Sequence, residues 1–161
     1  MTRKAIGLLL LVCCIAFGSA LHAEPTKTII LKIYDGKSLR QVMPTGYQIR
    51  VDHQTMLHPD WVKQNEDGSA ELTIPADTEV VALHLAYDNS MELYVACDGD
   101  KNAFGDVWYH VPEIMQKGLV TTNGCGKAKV NAKFKTTAAP GELILFVRER
   151  NFKDRAKDFA Q

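Results

Sequence analysis

Apolar and polar positions alternate through most of the chain after residue 23. Residues 28–34 (T-I-I-L-K-I-Y) are β-branched and apolar with one lysine, and they stop at the turn pair Asp35-Gly36. Pro44-Thr45-Gly46 turns the chain into residues 47–51, which alternate as a strand with one buried face does. Residues 53–64 break the alternation and read as a loop leading into a short strand around Val62. After the turn Asn65-Glu66-Asp67-Gly68, residues 70–74 alternate again and Pro75 closes them. Residues 79–87 are apolar on both faces, the mark of a central strand. Residues 91–97 give another strand, followed by the polar loop 98–102.

The second half adds helical signals. Pro112 at a helix start and Lys117-Gly118 at a helix stop predict one short helix within residues 109–120. Residues 130–134 read as an edge strand, with Lys127, Lys129, Lys133 and Lys135 on its solvated face. Residues 142–148 (E-L-I-L-F-V-R) form the clearest buried strand. Phe152, Ala156 and Phe159 then recur at helical spacing in a charged tail, residues 149–161, which predicts a short amphipathic helix. Short strands divided by frequent turns predict an all-β chain, an antiparallel β-sandwich with one short helix and a short C-terminal helix. Without sustained strand–helix alternation, a parallel α/β sheet is not expected.

The first 23 residues follow a different rule. Arg3 and Lys4 precede an apolar run over residues 6–17, and small residues lead to Ala23. This is the pattern of a secretory signal peptide cleaved after Ala23, and the run is shorter than the roughly 20 residues a membrane-spanning helix needs. The expectation is therefore a periplasmic or secreted protein with no membrane span after cleavage. Residues 24–148 would make one domain and residues 149–161 the tail. A lipoprotein reading of Cys13 wants a small residue before it, and Val12 stands there.

Charge then narrows the partners. The leader holds two of the 19 basic residues and none of the 19 acidic ones, leaving 17 against 19. No global basic field exists to hold nucleic acid, so a protein or glycan partner is expected instead. Cys97 and Cys125 remain after the leader, and an even pair in an oxidising compartment most simply forms a disulfide. A redox pair or a zinc site would favour Cys-x-x-Cys spacing, which neither cysteine has.

Candidate chemistry is sparse. Asp52, His53, His58 and Asp60 offer imidazole and carboxylate ligands to a metal from the irregular segment, although the His53–His58 spacing is not a recognised one. Asp98, Asp100 and Asn102, with Asp106 beyond, resemble the start of a calcium loop whose later register Ala103-Phe104-Gly105 does not keep. Trp61, Phe104, Trp108 and Tyr109 are aromatic candidates for stacking on a sugar or anchoring a protein, with core packing the alternative. There is no Gly-x-Ser-x-Gly elbow and no glycine-rich phosphate loop, so neither an enzyme nor a cofactor is expected.

Several of these residues together resemble a known family. Asp35-Gly36-Lys37, Pro44-x-Gly46 before Tyr47-x-Ile49-x-Val51, and Glu66-Asp67-Gly68-x-Ala70-x-Leu72-x-Ile74-Pro75 before a strand ending at Tyr87 look like a carboxypeptidase regulatory-like domain of the transthyretin (prealbumin-like) type. The resemblance covers residues 28–97. It implies a β-sandwich acting as a non-catalytic accessory module. Residues 109–143 look like a group of small exported bacterial proteins to which no activity attaches. The hydroxyisourate hydrolases of the transthyretin type carry a terminal Tyr-Arg-Gly-Ser, where this chain has Asp158-Phe159-Ala160-Gln161, so that enzymatic branch is not implied.

Overall fold

A computed structural model describes residues 24–56, 59–90, 92–98 and 107–158. The expected leader over residues 1–23, and with it His58, Asp100, Asn102, Phe104, Asp106 and Phe159, lies outside the described residues.

Among the described residues ten strands fall in chain order: β1 (Thr26–Asp35), β2 (Gly46–Val51), β3 (Gln54–Met56), β4 (Val62–Gln64), β5 (Ala70–Pro75), β6 (Val80–Ala86), β7 (Tyr94–Ala96), β8 (Tyr109–His110), β9 (Leu119–Val120) and β10 (Glu142–Glu149). Three short helices join them: α1 (Val111–Lys117), α2 (Ala128–Lys133) and α3 (Phe152–Asp158). One sheet runs β4-β5-β1-β10-β7 with β9 alongside β10, and the other runs β3-β2-β6-β8. The chain is thus β-rich, with two sheets.

Both sheets turn one face to a shared core. Ile29, Leu31 and Ile33 of β1, Leu72 and Ile74 of β5 and Leu143, Leu145 and Val147 of β10 meet Ile49, Val51, Val81 and Leu85 of the second sheet. The period-two pattern of β5 explains its share, since Ala70, Leu72 and Ile74 are buried and the residues between are half-buried. β10 is different, being buried on both faces from Leu143 to Val147. Its second face, Ile144 and Phe146, joins Cys97 in a smaller core with Tyr34, Leu39, Val120, Cys125, Phe134 and Ala138 packed around it.

Three expectations are corrected. The larger sheet is mixed, because β1 pairs β10 in parallel from Ile30↔Glu142 to Asp35↔Val147, and β9 also pairs β10 in parallel. A parallel pair needs a long crossover, and Lys32 and Glu142 lie 110 positions apart. Residues 130–134 are no edge strand; α2 takes Ala128–Lys133 and ends at Phe134, which packs against the smaller core. The tail does form α3, but Phe152 is 80% exposed while Asp154 is 5% exposed. An ion pair orients this helix: Arg148 Nη2 donates to Asp154 Oδ1 at 2.8 Å.

The expected helix start and stop are both present at α1. Pro112 occupies its first turn, and Gly118 caps it with φ +75° while donating to the Ile114 carbonyl. A Cβ on Gly118 would come within 2.4 Å of the Ala139 carbonyl oxygen, so both conformation and space require glycine.

Glu142 ties β10 to β1. Its Oε2 accepts from the Ala139 N–H at 2.9 Å and its Oε1 from Lys32 Nζ at 2.6 Å. The Ala139 N–H, then the Lys32 ammonium, hold its carboxyl below the ordinary value of 4.5. Its stabilising contribution is therefore full above pH 4.5 and is lost as pH falls through the lowered folded-state value. Both side chains are partly exposed, so Glu142→Gln is expected to cost about 0.5–1 kcal/mol at pH 7. Urea unfolding of the two proteins from pH 7 to pH 3 checks this. The gap between them must close in acid, and a constant gap would remove the linkage.

Candidate functional site

Residues 118–141 contain four lysines and no aspartate or glutamate. The fold concentrates this charge around α2. The helix is fastened from three directions. The Cys97–Cys125 disulfide closes just before it, with Cα atoms 5.1 Å apart. Asn123 Nδ2 donates to the Gly36 carbonyl at 2.8 Å and to Asn131 Oδ1 at 2.6 Å, and Asn131 Nδ2 returns a bond to the Asn123 carbonyl at 3.0 Å. Phe134 then packs edge-on to Tyr34 and Phe146, with ring centroids 5.3 and 5.8 Å away.

Two hollows open beside the helix and share Val130. The larger, about 550 Å³, is lined by Leu39, Lys129, Val130, Ala132, Lys133 and Phe134. The other, about 460 Å³, is lined by Lys37, Ser38, Cys125, Lys127 and Val130. Their floor is apolar and their rim is cationic. Lys37, Lys127, Lys129 and Lys133 are exposed. Among the described residues, Lys127, Lys129 and Lys133 form no side-chain ion pair. A third hollow, about 380 Å³, lies between Asp35, Lys37, Arg148, Glu149, Arg150 and Asn151 and mixes both signs of charge. Of these three, the hollows beside α2 have cations without lining acids, so they suit an anion better than the third.

Two of the sequence-predicted metal residues, Asp52 and His53, are built into a hairpin. Asp52 and His53 form the two-residue turn between β2 and β3, both at positive φ (47° and 65°), where Val51 pairs Gln54. Asp52 Oδ1 accepts from the Glu79 and Val80 N–H groups, each at 3.0 Å, which locks the turn to the start of β6. The His53 ring lies 4.4 Å from that of Trp108. Asp60 is exposed on the 3-10 turn Pro59–Trp61. Among the described residues no group of three or more His, Cys, Asp or Glu side chains is placed to hold a metal ion.

The aromatic candidates are spread apart. Trp61 is partly buried against the main core. Tyr109 is buried in it, and its hydroxyl donates to Asp98 Oδ2 at 3.0 Å. Burial, then the Asp98 carboxylate, pushes the Tyr109 hydroxyl pKa far upward, so it remains a donor. Trp108 is half-exposed over His53. The groove residues Leu39, Val130 and Phe134 were not singled out by sequence reasoning. The signals for them were the acid-free run 118–141 and the one-turn spacing of Val130 and Phe134.

No helix among the described residues is long and apolar enough to cross a membrane. Compared with protein-family models, curated proteins and solved structures, the chain has no match.

Proposed function

We propose that the chain is an exported, non-catalytic binding module of the bacterial cell envelope. In this reading its two sheets are a β-sandwich of transthyretin- or immunoglobulin-like type, and the groove beside α2 holds its ligand. The observation that carries the reading is the groove itself, an apolar floor with a lysine rim and no acid lining it. Export is supported by the leader-like pattern of residues 1–23 and by the Cys97–Cys125 bond, which persists in oxidising compartments. A non-catalytic role is supported by the lining of the larger hollow, where lysines stand among apolar side chains without a serine, cysteine or histidine.

A photoreactive side chain tests the site in producing cells. Placed at Val130 it is expected to capture an envelope component, and the adduct is expected to vanish when Lys129 and Lys133 become glutamate. Placed at exposed Asp77 in the β5–β6 turn it is expected to capture none. Equal capture at both positions, or none at Val130, would overturn the site. Turnover of an ester or peptide by the purified protein would overturn the non-catalytic role.

A further inference from the structure

We infer that the groove beside α2 binds a single-chain anionic amphiphile, a long-chain fatty acid whose hydrocarbon lies on Leu39, Val130, Ala132 and Phe134 and whose carboxylate meets the lysine rim. The inference rests on the groove reading proposed above and names its ligand.

Size is the first argument. The larger hollow, about 550 Å³, falls within the range of small-molecule sites. A folded partner would instead want a face of roughly 800 Å² on each side.

Polarity is the second. The groove wall is helix, and N–H groups along it are already committed: the Val130 and Asn131 N–H groups bond the Lys127 carbonyl, and the Phe134 N–H bonds the Val130 carbonyl. A peptide laid on Val130 and Phe134 would bury main-chain carbonyls to which those N–H groups are closed, and a sugar would bury hydroxyls. An acyl chain has neither. It needs only apolar contact along its length and a cation at one end, which the lysine stems and their ammonium groups supply.

Electrostatics is the third. Lys129 and Lys133 stand one helical turn apart with no acid between them, an arrangement that destabilises an isolated helix. α2 has no acidic residue in its first turn and no side-chain cap at Lys127 to offset this. A carboxylate at the rim relieves the repulsion, so ligand binding and helix stability support each other.

The test uses the full chain, expressed with its own N-terminal segment and purified with the disulfide intact. Palmitate is titrated calorimetrically below its aggregation threshold, and stoichiometry is read by native mass spectrometry. One palmitate per chain is expected. Lys129→Glu with Lys133→Glu is expected to weaken uptake about tenfold or more, as loss of two charge-assisted contacts would. Lys129→Gln with Lys133→Gln, which removes the charge without reversing it, is expected to fall between, and serves if the reversed variant does not fold. Lys153→Glu on α3 is expected to leave affinity within about twofold, because the residue lies outside the groove. Cetyltrimethylammonium, a cation on a chain of the same length, is expected not to bind. No saturable palmitate uptake, equal affinity in the charge variants, or equal binding of the cationic analogue would each overturn the inference. Capture at Val130 without palmitate uptake would remove the fatty acid and leave the binding module standing. Failure of both experiments would remove both.

Discussion

Leu31→Ala is expected to lower the unfolding free energy by about 3–5 kcal/mol, the range for emptying a sealed leucine site. Leu31 is 0% exposed at the middle of β1, the central strand of the β4-β5-β1-β10-β7 order. In the register it faces Leu143 of β10 on one side and Ala70 of β5 on the other. Ala70 has no side chain to swing into the vacated space, and Leu143 is fixed on a strand buried on both faces. The site therefore relaxes little, and the cavity term adds to the lost transfer term. For a domain of ordinary stability this approaches half the total. Urea unfolding should show a lower midpoint at an unchanged slope. A cost below about 1 kcal/mol would mean the site is not sealed and the β5-β1-β10 order is wrong. Leu39→Ala, half-buried at the rim of the smaller core, is expected to cost clearly less.

Removing the disulfide by Cys97→Ala with Cys125→Ala is expected to cost a similar amount, about 3.6 kcal/mol from loop-closure entropy alone for this span. The sequence separation is 28 residues. The location adds a second effect. Gly36 lies so close that a Cβ there would stand 2.8 Å from Cys97 Sγ and 2.9 Å from Cys125 Cβ. The bond thus clamps the β1 turn, β7 and the approach to α2 at one point. Loss of the bond should loosen α2 before the main core, so hydrogen exchange is expected to rise first over residues 124–138. Chemical denaturation with and without reductant checks the magnitude. Unchanged exchange around α2 in the variant would show that the Asn123–Asn131 bonds hold the helix unaided.

Legibility in the sequence followed locality. β5 was plain because its periodicity is set by residues two apart, β6 because its residues are apolar on both faces, and α1 because Pro112 and Gly118 mark its ends. The Cys97–Cys125 pair was readable from the even number of cysteines after the leader-like segment. The parallel pairing of β1 with β10 was not, because no local pattern distinguishes a parallel from an antiparallel neighbour in a strand buried on both faces. α2 was misread because lysine two apart at Lys127 and Lys129, and again at Lys133 and Lys135, mimics a strand. Phe134, which caps the helix and packs against the smaller core, is the one apolar anchor that the lysine pattern hid. α3 was found, but its orientation was not, since Asp154 is drawn inward by Arg148 across six positions and hydrophobic spacing carries no trace of that pair. The candidate groove is assembled from Leu39 and α2, elements far apart in sequence, so only its charge was visible beforehand.

The parallel β1–β10 pairing also fixes when the protein becomes a protein. A ribosome delivers β1 early, and β5 and β6 soon after, but the other flank of β1 waits for residues 142–149. Until then Ile29, Leu31 and Ile33 belong to an unfinished edge, open to pairing with any other strand in reach. Folding cannot proceed stepwise from the front, and a nascent or stalled product that stops before Glu142 has no complete larger sheet. If the chain is exported as proposed above, its larger sheet closes only after residues 142–149 have crossed.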